Sequence, residues 1–333
     1  MYASFYGLSA KPFQLKPDPD FFFGSKGHRR AMAYLEYGLE QGEGFIVITG
    51  DVGAGKTTLV RSLFRQLESE KIVAAQIVNT HLDSDDALRM VLSAFGLPFD
   101  DAPKATLLTR FEQFLRACDE QGKRVLLIVD EAQNLSAKTV EELRMLSNFQ
   151  TSEKSLLQTF LLGQPEFRKT LMSSEMLQLR QRVIATYHLG PIDATETRDY
   201  IEHRLQTVGW RGNPSLDEDA YSAIYEFTGG IPRKINTLCD RLFLMGYLEE
   251  IQHFGGSEVN VVINDIRQEF ALPESEVDTQ NKLVLGRGED AQANLENMDE
   301  RMAKMERSVI SVLDLLKQVL SLASVKNHLE EKH

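Results

Sequence analysis

Cysteine is scarce in this sequence, and that scarcity limits the chemistry that the chain carries. Cys118 and Cys239 are the only cysteines among 333 residues, and neither lies in a CxxC or a Cys/His spacing. Disulfide frameworks and zinc sites both need clustered cysteines. We therefore expect two reduced structural thiols in a cytoplasmic protein.

Long apolar runs are missing as well. A helix that spans a bilayer needs about 18–20 consecutive apolar residues, and no stretch of this sequence reaches that length. The first residues, MYASFYGLSAKPF, also lack the basic and apolar regions of a secretory signal. We expect a cytoplasmic protein, or one held at the periphery of the inner membrane by a partner.

Positive charge is in deficit. The 37 Lys and Arg residues are outnumbered by 49 Asp and Glu residues, and the formal net charge is −12. Binding of DNA or RNA draws on counterion release by Lys and Arg. The balance therefore argues against a broad nucleic-acid-binding face, although a local basic patch is compatible with it. The length allows two domains, or one domain with an appendage.

What the sequence does contain is a phosphate-binding loop. An apolar stretch at residues 45–49 runs into GDVGAGKT at residues 50–57, and a helical pattern follows. The glycines let the backbone curl so that amide N–H groups converge at the positive end of the next helix, where a polyphosphate fits. A glycine-rich turn without a ligand is the alternative, but the full motif between a strand and a helix favours a P-loop. The predicted nucleotide-binding residues are Gly50, Asp51, Val52, Gly53, Ala54, Gly55, Lys56, Thr57 and Thr58.

Two carboxylates follow a second apolar run. Residues 124–129 read as a buried strand that ends in Asp130 and Glu131, and ligands of open α/β sheets collect at such carboxyl ends. We expect Lys56 to contact the β- and γ-phosphates of ATP, while Thr57 and Asp130 hold Mg²⁺. Glu131 would orient or deprotonate the attacking water. An acidic pair at the start of a solvated loop is the alternative, and the P-loop upstream argues against it.

Polar residues near other strands complete the list of candidates. Gln164 follows the predicted strand at residues 156–162, so its amide either points at the γ-phosphate or the attacking water, or caps the next helix. Asn148 is the second choice for this sensing role.

Three arginines are candidates for contact with the nucleotide. Arg180 and Arg182 precede a predicted strand at residues 183–189, and an arginine there can reach the γ-phosphate held by a neighbouring subunit. We favour Arg182, with a solvated charge as the alternative. Arg233 opens a later helix and either reaches back to the nucleotide or is an ordinary first-turn arginine.

The order of elements predicts an α/β fold. Strands, with a further one at residues 71–78, alternate with helices up to residue 190, which indicates a parallel sheet covered on both faces. Helices at residues 194–208, 216–228, 233–248 and 263–270 follow. The predicted domains are an αβα nucleotide-binding domain with an N-terminal extension at residues 1–190, a helical lid at 191–272, a linker at 273–290 and a heptad helix at 291–333.

The heptad helix carries an apolar or small residue alternately every three and four positions. The positions are Leu295, Met298, Met302, Met305, Val309, Val312, Leu316, Val319 and Ala323. A lone helix would leave this stripe in water, so we expect a coiled coil with a second copy or with a partner. Folding back on its own domain is the alternative.

Short motifs along residues 1–270 indicate a particular class of P-loop protein. Besides the P-loop they are FYGL (5–8), KPF (11–13), PDP (17–19), HRRA (28–31), GEGF (42–45), DEAQNL (130–135), LGQPE (162–166), LRQR (179–182) and GIPRKIN (230–236). In this combination the chain resembles the AAA+ ATPases of the general secretion pathway protein A type, and among them the secretion ATPase that accompanies exosortase and exopolysaccharide loci.

The resemblance implies a P-loop NTPase fold with a helical lid and a ring-like homo-oligomer such as a hexamer. It implies that Gln164 is sensor 1, that Arg182 is the finger acting on a neighbouring subunit and that Arg233 is sensor 2. It also implies that residues 17–30 touch the adenine. ATP hydrolysis would be coupled to an envelope export system, whose protein partner the C-terminal helix would contact. Longer members carry a transmembrane helix and a peptidoglycan-binding region where this chain has a linker and a heptad helix, so peptidoglycan contact does not carry over.

Two other functions are compatible with the same motifs. ATP-dependent DNA adaptors of the transposition or replication-initiator kind share the sheet-and-lid design, but the acidic charge and the lack of a DNA-reading module count against them. The second alternative is a scaffold protein that uses its ATPase cycle only as a switch.

Overall fold

A sheet of five parallel strands organises the first part of the chain. The computed structural model describes residues 2–67, 71–78, 84–99, 102–152 and 154–270. The strands are β1 (Phe45–Gly50), β2 (Ile72–Ile77), β3 (Arg124–Val129), β4 (Leu157–Gly163) and β5 (Val183–Leu189). They lie in the order β2-β3-β4-β1-β5, and every neighbouring pair is parallel. The predicted α/β fold with a parallel sheet is confirmed.

Strand β1, which lies between β4 and β5, shows why apolar runs form this sheet. In β1, Phe45 and Val47 point into one core, whereas Ile46 and Ile48 point into another. All six residues of β1 are buried, because successive side chains of a strand point to opposite faces and both faces here are covered. A continuous apolar run is therefore the pattern that such a strand requires.

Helices cover both faces of the sheet. Residues of the second and third helices pack on one face, and residues of the fourth to seventh helices pack on the other. The helices up to β5 are α1 (Tyr2–Phe5), α2 (Lys26–Gln41), α3 (Lys56–Gln66), α4 (Ser84–Ala94), α5 (Lys104–Glu120), α6 (Ala137–Leu146), α7 (Pro165–Leu171) and α8 (Leu177–Arg180).

The chain after β5 is mostly helical, as predicted. It contains α9 (Ala194–Thr207), α10 (Glu218–Thr228), α11 (Pro232–Leu248) and α12 (Gly256–Phe270), with two short paired strands, β6 (Ser215–Leu216) and β7 (His253–Phe254). The last helix begins earlier than the predicted residue 263. The Glu258 carboxylate accepts a hydrogen bond of 2.7 Å from the Gly255 N–H, so a side chain caps the first turn of α12. The sequence at Gly255 and Gly256 predicts a turn between helices instead.

The N-terminal aromatic residues pack with these later helices. Tyr6 and Phe13 share a core with residues of α9 to α12, and the rings of Phe13 and Phe243 lie 5.4 Å apart. The Tyr6 hydroxyl donates to the Ile251 carbonyl at 2.9 Å. The start of the chain is thereby tied to helices α9–α12, and residues 1–269 form one compact unit. The division at residues 190 and 191 stays a prediction, and the predicted linker at 273–290 and heptad helix at 291–333 lie outside the described residues.

Candidate active site

The loop between β1 and α3 has the shape that its glycines predict. Gly53 and Gly55 have positive φ angles of 85° and 97°, which favour glycine. Gly55 caps α3 without any side-chain hydrogen bond, so the first N–H groups of this helix are left to meet a ligand or water. An anion is the ligand that this position favours.

Lys56 is folded against the same loop. Its Nζ donates to the carbonyl oxygens of Gly50 at 2.6 Å and Asp51 at 3.0 Å, and the residue is only 7% exposed. Burial lowers the pKa of the Lys56 ammonium below its ordinary value. Within the described residues, the ammonium forms no salt bridge to a carboxylate. A buried positive charge whose hydrogen bonds go to carbonyl oxygens favours the arrival of an anion.

Asp130 and Thr57 lie together at the carboxyl edge of the sheet. The Thr57 hydroxyl donates to Asp130 Oδ2 at 2.9 Å, and Gln76 Nε2 lies 3.5 Å from the same oxygen. Asp130 is 2% exposed, and burial raises the pKa of its carboxyl group. A hydroxyl and a carboxylate side by side are hard oxygen donors of the kind that Mg²⁺ prefers. The two predicted metal ligands therefore fit that ion.

Glu131 is held in an unusual backbone conformation. Its φ angle is 54°, a left-handed value that costs about 1–2 kcal/mol for a residue with a side chain. Its Oε2 accepts hydrogen bonds from Gln133 Nε2 at 2.6 Å and from Gln164 Nε2 at 3.2 Å. Burial on its own raises the pKa of the Glu131 carboxyl, but these two amides and the nearby Lys56 lower it below its ordinary value. Glu131 is thus an ionised, anchored carboxylate beside the P-loop.

A cleft opens above these residues. Its polar end contains Lys56, Thr57 and Glu131, and its other end contains aromatic residues that include Phe21 and Tyr200. Cations and helix N–H groups suit phosphates, whereas aromatic faces suit a flat base. The two ends together match the two halves of a nucleotide.

Two buried side chains support the walls of the cleft. His28 lies directly behind the P-loop, since a Cβ built on Gly55 would fall 2.7 Å from its Nε2. Burial lowers the pKa of His28 to about 4. Arg204 donates to the Pro12 carbonyl at 2.6 Å and lies over the Phe21 ring, 4.7 Å from its centroid. The aromatic end of the cleft is thereby fixed to α9.

Arg233 approaches the P-loop through its backbone. The Arg233 N–H donates to the Gly53 carbonyl at 3.2 Å, and a Cβ on Gly53 would lie 2.3 Å from the Arg233 Cβ. The side chain is exposed and lines the cleft. The structure therefore brings Arg233 to the predicted phosphate site.

Arg182 lies at the opposite edge of the sheet. Its carbonyl accepts from the Phe45 N–H at 2.9 Å, and its Nη1 donates to Ser147 Oγ at 3.0 Å. The five residue steps from Phe45 to Gly50 separate it from the P-loop by about 17 Å at about 3.3 Å per residue. Arg182 cannot reach its own cleft, and Asn148, which follows Ser147, lies at this same far edge.

Several residues of the site are missing from the sequence-based list of candidates. Gln133 is next but one to Glu131, and Gln76 is the polar residue near the end of an apolar strand. Both positions indicate a place near the site, but many polar residues lie near strand ends, so position alone does not single these two out. Arg204 gave no local signal, because its partners Pro12 and Phe21 are distant in sequence.

Two kinds of feature are absent from the described residues. They contain no group of three or more His, Cys, Asp and Glu side chains placed to hold a metal ion. None of their helices has both the length and the apolarity that crossing a membrane requires.

Comparison with known proteins agrees with this geometry. Residues 39–171 match the family model described as an AAA domain. General secretion pathway protein A of Aeromonas hydrophila is 41% identical over 248 residues, which is 74% of this chain and 45% of that protein. This chain thus spans less than half the length of that relative. An ORC1-type DNA replication protein of Thermoplasma acidophilum is 34% identical over 91 residues, 27% of this chain and 25% of that protein.

A solved structure shows the same architecture. The crystal structure of Cdc6p from Pyrobaculum aerophilum matches with a TM-score of 0.58 at 15% identity, over 81% of this chain and 74% of that one. Such a low identity supports the fold alone. The fold of this chain is that of an AAA+ P-loop domain, and its sequence is related to general secretion pathway protein A.

Proposed function

We propose that the chain binds ATP with Mg²⁺ in this cleft and hydrolyses it. The observation that carries the proposal is the meeting of three elements at one edge of the sheet: the buried Lys56 in the P-loop, the Thr57–Asp130 pair, and the anchored Glu131. A hydrogen bond of 2.9 Å joins Thr57 to Asp130, and one of 2.6 Å from Gln133 anchors Glu131. Phosphoryl transfer needs positioning and charge stabilisation more than covalent chemistry, and these groups supply both.

Each residue has a separate role in this proposal. The N–H groups at the start of α3 and the Lys56 ammonium bind the phosphates, and Thr57 and Asp130 hold Mg²⁺, which would neutralise phosphate charge when bound. Glu131 orients the attacking water and takes its proton, because it is an ionised carboxylate that lines the cleft beside the P-loop. Gln164 keeps that carboxylate in place and senses the γ-phosphate, and Arg233 contacts the phosphates from α11.

The position of Arg182 supports action on a second subunit. An arginine about 17 Å from its own P-loop, next to the half-buried Glu141–Arg144 ion pair, contributes to hydrolysis only if another copy brings a nucleotide to it. We therefore propose a ring-like homo-oligomer in which Arg182 completes the neighbour's site. The alternative for this role is Arg180, which donates to the Leu171 carbonyl at 3.3 Å.

The proposed cellular role rests on the similarity to a known protein. Because the chain is 41% identical over 248 residues to general secretion pathway protein A, we propose that its ATPase cycle drives an envelope export process. The heptad helix at residues 291–333 is our candidate contact with the protein partner. The more specific link to exosortase and exopolysaccharide loci rests on the motif resemblance. Deleting residues 291–333 tests this role: we expect a smaller assembly in sedimentation or a loss of partner capture, and unchanged assembly together with unchanged partner capture would contradict it.

Substitution of the two central residues tests the chemistry. Lys56→Ala removes the buried ammonium and should abolish ATP binding in a calorimetric titration. Glu131→Gln keeps the shape but not the charge, so it should bind ATP as the wild type does and hydrolyse it on the order of 100-fold more slowly, in the range of general base catalysis. Lys138→Ala and Glu120→Gln, at exposed positions, are the matched controls. Wild-type turnover by both site variants would contradict the proposal.

ATP-dependent DNA binding is the second candidate function. The 91-residue similarity to an ORC1-type DNA replication protein favours it, and the net charge of −12 opposes it. Fluorescence anisotropy with duplex DNA and ATP, at low and moderate salt, separates the two. Tight binding that weakens steeply with salt would support DNA binding.

A further inference from the structure

Gln133 connects two residues of the candidate active site. It lies in the short 3₁₀ helix Ala132–Asn134 directly after Glu131. Its Nε2 donates to Glu131 Oε2 at 2.6 Å, and its Oε1 accepts from the Gln164 backbone N–H at 2.9 Å. A backbone N–H can only donate, and a carboxylate can only accept. The Gln133 amide therefore has a single orientation that satisfies both partners.

A third hydrogen bond closes the arrangement. Gln164 Nε2 donates to the same Glu131 oxygen at 3.2 Å, so Glu131, Gln133 and Gln164 form a ring of three hydrogen bonds. This ring joins the loop after β3 to the loop after β4. A glutamate side chain on its own samples many rotamers. Here the ring holds one carboxylate oxygen at a fixed place.

Only two members of the ring face the cleft. Glu131 and Gln164 are among its lining residues, whereas Gln133 is not among the described residues that line it. Gln133 therefore acts on a bound nucleotide only through its neighbours. Its two hydrogen bonds are directed at the carboxylate and at the backbone of the polar sensor.

We propose that Gln133 is a positioning residue that sets the place of the Glu131 carboxylate and couples it to Gln164. This inference rests on the proposed hydrolysis of ATP by Glu131. Loss of the amide leaves the carboxylate with one anchor fewer, and its oxygen moves relative to the attacking water. Misplacement of a reacting group by about 1 Å costs up to about 100-fold in rate. We expect kcat to fall by about 10- to 100-fold, while the affinity for nucleotide is unchanged because Gln133 does not line the cleft.

Gln133→Met tests this role, since methionine has a similar length and no amide. Gln133→Glu is a second variant of nearly the same shape that cannot donate to Glu131. Asn134→Ala, an exposed residue of the same turn, is the control. We expect both Gln133 variants to lower kcat, with KM and the dissociation constant of a fluorescent ATP analogue within about twofold of wild type. Their thermal unfolding midpoints should match that of Asn134→Ala. Wild-type kcat in either folded variant, or an equal loss of binding, would overturn the assignment.

A double variant shows whether Gln133 acts through Glu131. In single-turnover phosphate release, adding Gln133→Met to Glu131→Gln should cause no further loss, because the carboxylate that Gln133 positions is already absent. A further loss of the same factor would overturn the positioning role. Absence of hydrolysis in the wild type would overturn the proposed function and this role together. If Glu131→Gln is inactive while Gln133→Met is fully active, the positioning role of Gln133 is overturned and the proposed function is not.

Discussion

The contact between the P-loop and α11 gives the sharpest structural prediction. Gly53 has a φ angle of 85°, and a Cβ at this position would lie 2.3 Å from the Arg233 Cβ. A Cβ is the root of its side chain and cannot rotate away, so Gly53→Ala must move either the loop or the first turn of α11. The substitution tests whether these two elements are packed as described.

The magnitude follows from two terms. A side chain in the left-handed region costs about 1–2 kcal/mol, and loss of the hydrogen bond from the Arg233 N–H to the Gly53 carbonyl costs about 0.5–1.5 kcal/mol. The free energy of unfolding should fall by about 1.5–3.5 kcal/mol, which lowers Tm by about 3–14 °C in a unit of this size. Gly122→Ala is the matched control, because Gly122 has a φ angle of 70° and nothing within 4 Å of its built Cβ. It should show only the first term.

Calorimetric unfolding and nucleotide titration of both variants provide the measurement. Gly53→Ala should be less stable than Gly122→Ala and should bind ATP more weakly, since the loop that holds the phosphates has moved. Gly122→Ala should bind ATP as the wild type does. If the two variants unfold at the same temperature, with equal affinity for ATP, the reasoning about this contact is refuted.

Three further predictions concern other parts of the unit. The pKa of His28 is lowered to about 4, so the folded state favours the neutral imidazole. The contribution of this group to the free energy of unfolding is fully present above pH 6.5 and falls by about 3 kcal/mol as the pH drops towards 4. Urea unfolding of His28→Gln should show a shallower fall over this interval, and parallel curves would contradict it. Phe243 is fully buried against Phe13 and Phe254, so Phe243→Ala should lose about 3–5 kcal/mol in urea unfolding, and a loss below 1 kcal/mol would be inconsistent with that packing. Mixing inactive Arg182→Ala with inactive Lys56→Ala should restore part of the ATPase activity, because each variant supplies the half-site that the other lacks; no recovery at any ratio would argue against action between subunits.

The inner strands β1, β3 and β4 were predictable because they are buried on both faces. The apolar run at residues 124–129 coincides with β3, and the candidate strand at residues 183–189 coincides with β5, an edge strand that is only partly buried. A short continuous apolar run shows no period of its own, so its length identifies it as a buried strand, and the charged or glycine residues next to it mark its ends. The P-loop was equally clear, since its glycine positions and its strand-to-helix context follow from local backbone geometry.

The anchoring of the site was not predictable in the same way. That Gln133 and Gln164 both bond Glu131 depends on the register of β3 against β4, which brings two loops together from 31 positions apart. The link from Arg204 to the Pro12 carbonyl crosses 192 positions. Sequence patterns report which residues are polar, but long-range packing decides which of them meet.

The central claim is that Glu131 of this chain activates water for hydrolysis of ATP bound at Lys56. Single-turnover phosphate release from saturating ATP and Mg²⁺, with wild-type protein and Glu131→Gln compared under the same conditions, tests it most directly. The account predicts phosphate release by the wild type and a loss on the order of 100-fold in the variant, with equal amounts of ATP bound by both. Equal rates of phosphate release from the two proteins would contradict it.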